Sequence, residues 1–387
     1  MVKESKAPIS PNQLDAILLD LAAKIATEPE ADTLYKNILD NAVALTGAEG
    51  GTIYFYDEAD EMLVFKYVRS SDKKVEKALT GLKIKKGEGV VGRVAETLKP
   101  EVVDRASRAA KFRSDFDHLS GFHTESMLTV PVQFYDYGVN ARTLVGVLQL
   151  VNKHDGPFEQ EDVKKVEAFG GFAASLLTKA KLHERLRRQY LGTVASLAEA
   201  VDAKDRYTHG HSLRVSAYST ALGQAINLPP ERLFNLRVSA LLHDIGKIGI
   251  PDRILHKRKR LSDREFERIK THVAEGVRIL RPAGMPRDVY EGICYHHEHW
   301  DGTGYPEQLA GEAIPLFGRI IAFADAFDTI TTKRTYKPAL PFEEGRAIVR
   351  RDAGSHFDPV LARQFCDLPL DEVARQGIDI FRPLVGI

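Results

Sequence analysis

An α+β domain built on an antiparallel sheet, joined by a long helix to an all-α helical bundle, is the fold class that this sequence predicts. Three observations predict it. Between about residues 31 and 153, one helical pattern gives way to two separated pairs of strand-like runs. From about Glu161 to Ala200 a helical pattern continues without a break. Beyond Gly192 the pattern stays helical almost throughout, with no strand-rich stretch of any length.

The elements follow in order. Residues 1–12 are polar and are expected to be disordered. Residues 12–26 and 31–46 carry apolar side chains at helical spacing: Leu14, Ile17, Leu18 and Leu21, then Leu34, Ile38, Ala42 and Leu45. Gly47, Gly50 and Gly51 are expected to stop the second helix. Residues 52–56 and 62–68 read as strands around an acidic turn, and 126–134 with 144–152 as a second hairpin. Gly87 to Gly89 opens a short helix over 90–97. This places one domain at 13–180, with its exit helix starting near 161, a linking helix at 181–200 and a helical domain at 185–387. In the latter, Pro229-Pro230 starts one helix and Ser262-Asp-Arg-Glu265 is a capping box for another. The exit helix carries Phe172, Leu176, Leu186, Val194 and Leu197, interrupted by Lys179 and His183. A homodimer through the front domain and linking helices fits that stripe, and so does a helix packed on its own domains.

Composition narrows the function classes. The chain has 387 residues, 43% hydrophobic and 28% charged, which is ordinary globular usage for two or three domains. Formal net charge is zero: residues 1–180 carry an acidic excess of four and the remainder a basic excess of four. Neither part has the basic bias of a nucleic-acid-binding domain. The longest nearly continuous apolar run, Leu144 to Val151, is far short of the ~20 residues that span a bilayer. The two cysteines, Cys294 and Cys366, are too few for a disulfide framework and fit a reducing compartment. Residues 1–11 lack an apolar signal core, so a cytoplasmic protein is expected.

The first chemical signal is histidine. Eight of the thirteen fall between 209 and 299. His243-Asp244 ends an apolar run, His296-His297 is an adjacent pair, and His211, His272 and Asp325 fall on separate predicted helices. Five imidazoles and two carboxylates are enough for two metal ions. Imidazole suits iron and zinc, carboxylate suits manganese, and a carboxylate such as Asp244 can bridge two ions. Paired ions activate water near neutral pH and stabilise charge on phosphate oxygens. A lone histidine is more often a hydrogen-bonded structural residue, but adjacent polar pairs on apolar helices are costly without partners.

His243-Asp-Ile-Gly-Lys247, Ile250-Pro-Asp252 and His296-His-Glu-His-Trp-Asp-Gly-Thr-Gly-Tyr-Pro306 closely resemble the HD-GYP family of the HD phosphohydrolase superfamily, over roughly residues 185–370. The resemblance implies a metal-dependent cyclic di-GMP phosphodiesterase with two divalent ions, iron or manganese. It implies metal ligation by His211, His243, Asp244 and Asp325 on one ion, and by His272, His296, His297 and the shared Asp244 on the other. Relatives with a third metal carry Glu where this chain has Tyr207, so a binuclear site is expected. Lys247 and Asp244 are the implied catalytic residues. Lys247, Arg334 and Lys337 are the implied phosphate contacts, with Tyr305 also placed at the substrate; Asp328, one helical turn after Asp325, is placed there too, or in support of the metal site or of Arg334. Lys247 stands one helical turn beyond His243, on the same face if the helix continues. The Gly-Tyr-Pro loop is linked in the family to substrate handling and protein partners. Trp300 reads as packing, and the basic run His256 to Arg260 as a solvated loop. The implied reaction is hydrolysis of cyclic di-GMP to pGpG, with a further cut to GMP in some relatives.

Residues 13–180 resemble a GAF domain, carried by Gly121-Phe-His-Thr-Glu-Ser-Met-Leu-Thr-Val-Pro131 and Gly146-Val-Leu-Gln-Leu-Val-Asn152. Asn152, Lys153, Phe158 and Asp162 match most of the signature of cyclic-nucleotide-binding GAF domains, with Val163 replacing its final Glu. The GAF ligand is therefore open; this domain has no cysteine for a bilin. Input domain, helix and output domain suggest regulated access to the metals. Two other readings stand beside the enzyme: a catalytically silent cyclic di-GMP-binding effector, and a phosphodiesterase for another cyclic dinucleotide such as cyclic GMP-AMP. Comparing turnover of several cyclic dinucleotides discriminates among them.

Overall fold

A computed structural model of the chain describes residues 31–70, 76, 78–104, 123–136, 140–205, 210–257, 259–332 and 339–375. The expected disordered start and the helix over 12–26 lie outside these residues. The chain forms two compact units that divide between Arg185 and Leu186.

In the first unit, helix α1 (Ala31–Thr46) buries Leu34, Ile38, Leu39, Ala42 and Leu45 along one face. Gly47 ends it in the left-handed region, at φ 68°, where glycine meets no Cβ penalty. Gly50 and Gly51, expected as helix stops, instead lie inside β1 (Ala48–Asp57). A Cβ on Gly50 would sit 2.5 Å from the Arg69 carbonyl oxygen of the neighbouring strand, so their role is close strand approach. β2 (Met62–Arg69), β3 (Lys83–Lys85), α2 (Gly89–Thr97), β4 (Glu101–Asp104), β5 (Ser126–Asp136) and β6 (Ala141–Lys153) complete the domain. The six strands run in the order β3-β2-β1-β6-β5-β4, antiparallel at every pairing.

Side chains alternate across this sheet. Ile53, Leu128, Leu148 and Leu150 face α1 and the start of α3 (Gln160–Lys204), where Phe169, Ala173 and Leu177 cover them. Tyr54, Phe65 and Val147 face the other way, onto Val91 and Val94 of α2. Each such Leu, Ile or Phe contributes about 1.5–3 kcal/mol by burial. The Asn152–Asp162 signature is consumed by the fold. The Asn152 carboxamide oxygen accepts from Glu125 N and Ser126 N, Lys153 Nζ pairs with Asp162 at 2.6 Å, and Phe158 is buried.

The second unit is helical. Helix α3 runs as one helix to Lys204, over both the expected exit helix and the expected linking helix. Then come α4 (His211–Ala225), α5 (Pro230–Leu242), a 3₁₀ segment (Ile245–Gly249), α6 (Asp252–Leu255), α7 (Asp263–Lys270), α8 (His272–Leu280), α9 (Arg287–Tyr295), α10 (Leu316–Thr331), α11 (Phe342–Arg351) and α12 (Pro359–Cys366). Ser262 and Glu265 form the reciprocal capping box that starts α7. Tyr218, Phe317, Phe323, Phe327 and Phe365 make one core, and Leu191, Val194 and Ala198 of α3 join Leu241, Ile245 and Ile293 in another. Helix α10 is buried along most of its length and carries Asp325 and Asp328. No helix among the described residues is long and apolar enough to cross a membrane.

Candidate metal centre

The centre is assembled at helix ends. His211 is the first residue of α4, His272 the first of α8, His243 caps the C-terminus of α5 and His296 caps that of α9. In the last turn of a helix the carbonyls have no intrahelical donor. Three histidines use them. His243 Nδ1 lies 2.8 Å from Ala240 O, His272 Nδ1 2.8 Å from Ile269 O, and His296 Nδ1 2.9 Å from Ile293 O. Each bond puts the ring proton on Nδ1 and leaves the Nε2 lone pair free. All three Nε2 atoms are buried without a hydrogen-bond partner. A buried acceptor left alone is costly, so three converging ones mark a place for a cation.

The donor atoms fall in two groups. His211, His243 and Asp244 offer atoms within 4.8 Å of one another, and so do Asp244, His272, His296 and His297. Asp325 joins the first group, with Oδ1 3.3 Å from His211 Nε2. Asp244 belongs to both. One of its oxygens lies 3.4 Å from His243 Nε2 and the other 3.5 Å from His272 Nε2. Its two oxygens thus face two different imidazole groups, as a bridging carboxylate requires. The donor set of imidazole and carboxylate fits divalent metal ions.

Electrostatics separates the two groups. Burial alone would raise the carboxyl of Asp244, but Lys247 and His243 beside it hold it well below the usual carboxylate range. Burial is likewise outweighed at Asp325, where the His211 hydrogen bond lowers the carboxyl. At His211 burial pulls down, and the bonds to Asp325 and Asp328 carry the imidazole up to about 10. His296 and His297 go the other way: desolvation pushes both down, helped by neighbouring imidazoles, and His297 reaches about 3. The carboxylates of the centre stay charged, while His296 and His297 are neutral imidazoles with lone pairs to donate.

Two sequence expectations change. Helix α5 ends at Leu242, and Lys247 sits in a 3₁₀ turn, where residues three apart are stacked. Its Nζ therefore lies over Asp244, at 2.6 Å, and not one α-turn beyond His243. Asp205 holds the same ammonium at 3.1 Å. Asp328, expected among the substrate contacts, is 1% exposed and has both oxygens occupied. Oδ2 accepts from His211 Nδ1 at 2.7 Å, and Arg214 Nε donates to Oδ1 at 2.6 Å. It orients His211 and does not reach outward. Arg334, Lys337 and Tyr207 lie outside the described residues.

The loop after His297 returns onto the centre. Tyr305 N donates to His297 O at 3.1 Å, and the Tyr305 ring stacks on the His297 ring, centroids 4.8 Å apart. Gly304 makes this return feasible, since a Cβ there would lie 2.5 Å from both Glu298 Cα and His297 O. Glu298, which sequence reasoning missed, is buried and accepts from Glu307 N at 2.7 Å and Leu309 N at 3.1 Å. Trp300 packs beneath Arg319, whose guanidinium lies 5.9 Å from its ring centre. In the basic run, Lys257 is tied to Glu265 and His256 to the Lys204 carbonyl.

Comparison with known proteins gives two family matches. Residues 195–361 match the family model described as HD domain, and residues 28–178 match that of the GAF domain. The chain is 38% identical over 187 residues to a cyclic di-GMP phosphodiesterase of Vibrio cholerae, covering 44% of this chain and 38% of that protein. It is 37% identical over 210 residues to 3′3′-cGAMP-specific phosphodiesterase 2 of the same organism, covering 53% of this chain and 40% of the relative. A cyclic di-GMP phosphodiesterase of Thermotoga maritima is 38% identical over 167 residues, 43% of this chain and 45% of its own. The chain spans less than half the length of these three relatives. The chain thus has a region that matches the GAF-domain model, followed by one that matches the HD-domain model and contains the metal-ligand candidates.

Proposed function

We propose that this chain is a metal-dependent phosphodiesterase that hydrolyses a cyclic dinucleotide, with cyclic di-GMP as its substrate and pGpG as the first product. The observation that carries the reading is Asp244, whose two oxygens face two imidazole groups with unpartnered Nε2 atoms. His211, His243, Asp244 and Asp325 would hold one divalent ion, and His272, His296, His297 and Asp244 the other, iron or manganese. When bound, such ions supply Lewis acidity and a water of lowered pKa.

The chain's own residues do the rest. Asp328, itself held by Arg214, fixes the His211 tautomer. Backbone carbonyls fix those of His243, His272 and His296. Lys247, kept protonated by Asp244 and Asp205 against the pull of burial, supplies a positive charge at the phosphate as negative charge grows there. Tyr305 covers His297 and narrows the approach to the centre. Arg334 and Lys337 are proposed as further phosphate contacts. The GAF domain is proposed as the regulatory input, and the Gly-Tyr-Pro loop as a place for protein partners. A homodimer through the GAF domain and α3 is supported by the exposed Leu182, Leu186, Tyr190 and Leu197. Free Cys294 and Cys366 fit a cytoplasmic setting.

The test uses full-length protein purified anaerobically, with metal quantified and cyclic di-GMP and 3′3′-cGAMP supplied separately. The expected result is two ions per chain and pGpG or GMP from cyclic di-GMP. Tight binding of cyclic di-GMP without product, with iron and with manganese, refutes the enzyme in favour of a silent effector. Faster turnover of 3′3′-cGAMP corrects the substrate.

A further inference from the structure

The end of α3 touches Ser212, which follows His211, and Lys247, which pairs with Asp244, without supplying a metal-ligand candidate. Asp202 is 3% exposed and accepts from Ser212 N at 3.1 Å and Ser212 Oγ at 2.8 Å. Ser212 follows His211 in the first turn of α4, where backbone N–H groups lack intrahelical partners and favour an anion. The N-cap of α4 is Gly210, which has no side chain for that task. Asp202 does it from another helix. Two residues on, Lys204 Nζ donates to Ile248 O at 2.7 Å and Ile250 O at 3.0 Å, tying the turn to the 3₁₀ segment. Next, Asp205 accepts from Lys247 Nζ at 3.1 Å.

Resting on the phosphodiesterase reading above, we propose that this turn is the positioning element of the centre, Asp205 holding Lys247 and Asp202 holding the helix start that carries His211. The reason is competition for Asp244. Lys247 also sits 2.6 Å from Asp244, whose oxygens face both imidazole groups. An ammonium and divalent cations on one carboxylate repel each other. Asp205 is then the anion that keeps the four-carbon Lys247 stem from swinging away.

The experiment uses the full-length, metal-loaded chain under single-turnover conditions long enough to give slow variants a rate. Asp205→Asn is expected to keep two ions per chain and the wild-type KM, with kcat down about 10- to 100-fold, the loss typical of a misplaced group. Asp205→Glu is expected to recover part of that loss. In a Lys247→Ala background, Asp205→Asn is expected to add nothing. Wild-type kcat in Asp205→Asn, or the same loss with and without Lys247, overturns the Asp205 assignment. Asp202→Asn is read by metal retention against a chelator, expected to weaken about tenfold or more as supports of ligating histidines do. If it does not fold, Ser212→Ala removes one of the two bonds and carries the same readout. Unchanged retention overturns the Asp202 assignment. A wild-type chain that holds two ions and turns nothing over defeats the phosphodiesterase reading and the Asp205 arm with it, while the retention result still decides Asp202.

Discussion

Removing the carboxylate of Asp328 separates metal holding from folding. Asp328 is 1% exposed; it takes His211 Nδ1 on one oxygen and Arg214 Nε on the other, and Thr332 Oγ1 donates at 3.1 Å. Asp328→Ala leaves the Arg214 guanidinium, 15% exposed, without this counter-charge, and loss of one partner of a buried pair costs about 3–5 kcal/mol. At about 2–4 °C per kcal/mol for a unit of this size, the melting temperature falls by the order of 10 °C. Asp328→Asn is the sharper probe. A carboxamide has one acceptor oxygen in place of the two that serve His211, Arg214 and Thr332, so these donors compete for it and the bond to His211 is weakened or lost. If His211 loses it, the Nε2 lone pair is no longer reserved for metal. Metal affinity at the first group is then expected to fall about 10- to 100-fold. Equilibrium competition with a chelator, read by metal quantification, measures this beside a thermal melt. Wild-type affinity in Asp328→Asn at lowered stability would refute the claim that Asp328 serves His211.

Asp244→Ala removes the carboxylate common to both groups and is expected to abolish metal-dependent turnover, with fewer than two ions retained; wild-type metal content and rate would discard the bridge. Gly304→Ala forces a Cβ against Glu298 Cα and His297 O, so the loop must shift, at about 1–3 kcal/mol for overpacking. Its turnover is expected to drop with metal content unchanged, measured on the same sample. His356 tests pH dependence: burial and the stacked His299 ring, 3.9 Å away, lower it from 6.5 to about 4. Between those values the unfolded chain binds the extra proton, so this group makes stability fall as pH drops from 6.5 towards 4. His356→Phe is expected to flatten that part of the melting-temperature profile, and an unchanged slope would assign it elsewhere.

Much of this centre was legible in the sequence because metal donors are few in kind. Adjacent pairs such as His243-Asp244 and His296-His297 on apolar helices signal a shared purpose. Supporting residues give no such signal. Asp202, Asp205 and Glu298 are acids of a type usually found in solvent, and only the fold shows them buried against a donor. The position of Lys247 was misread for a geometric reason: nothing in Ile245-Gly-Lys-Ile-Gly249 announces that the α-helix has stopped and a tighter turn begun. The strand role of Gly50 and Gly51 was hidden similarly, because a glycine that ends a helix and one that lets strands meet are alike in sequence.

The histidine ring bonds have a wider consequence. His243, His272 and His296 each close on the C-terminal turn of a helix, so α5, α7 and α9 all end at one place. The C-terminal end of a helix carries the equivalent of about half a negative charge. The N-termini of α4 and α8, which start at His211 and His272, bring the opposite partial charge to the same centre, so its backbone contribution is mixed in sign and no single side-chain substitution removes it. Replacing one of these histidines also opens the end of its helix, so a ligand variant reports a frayed terminus as well as a lost donor.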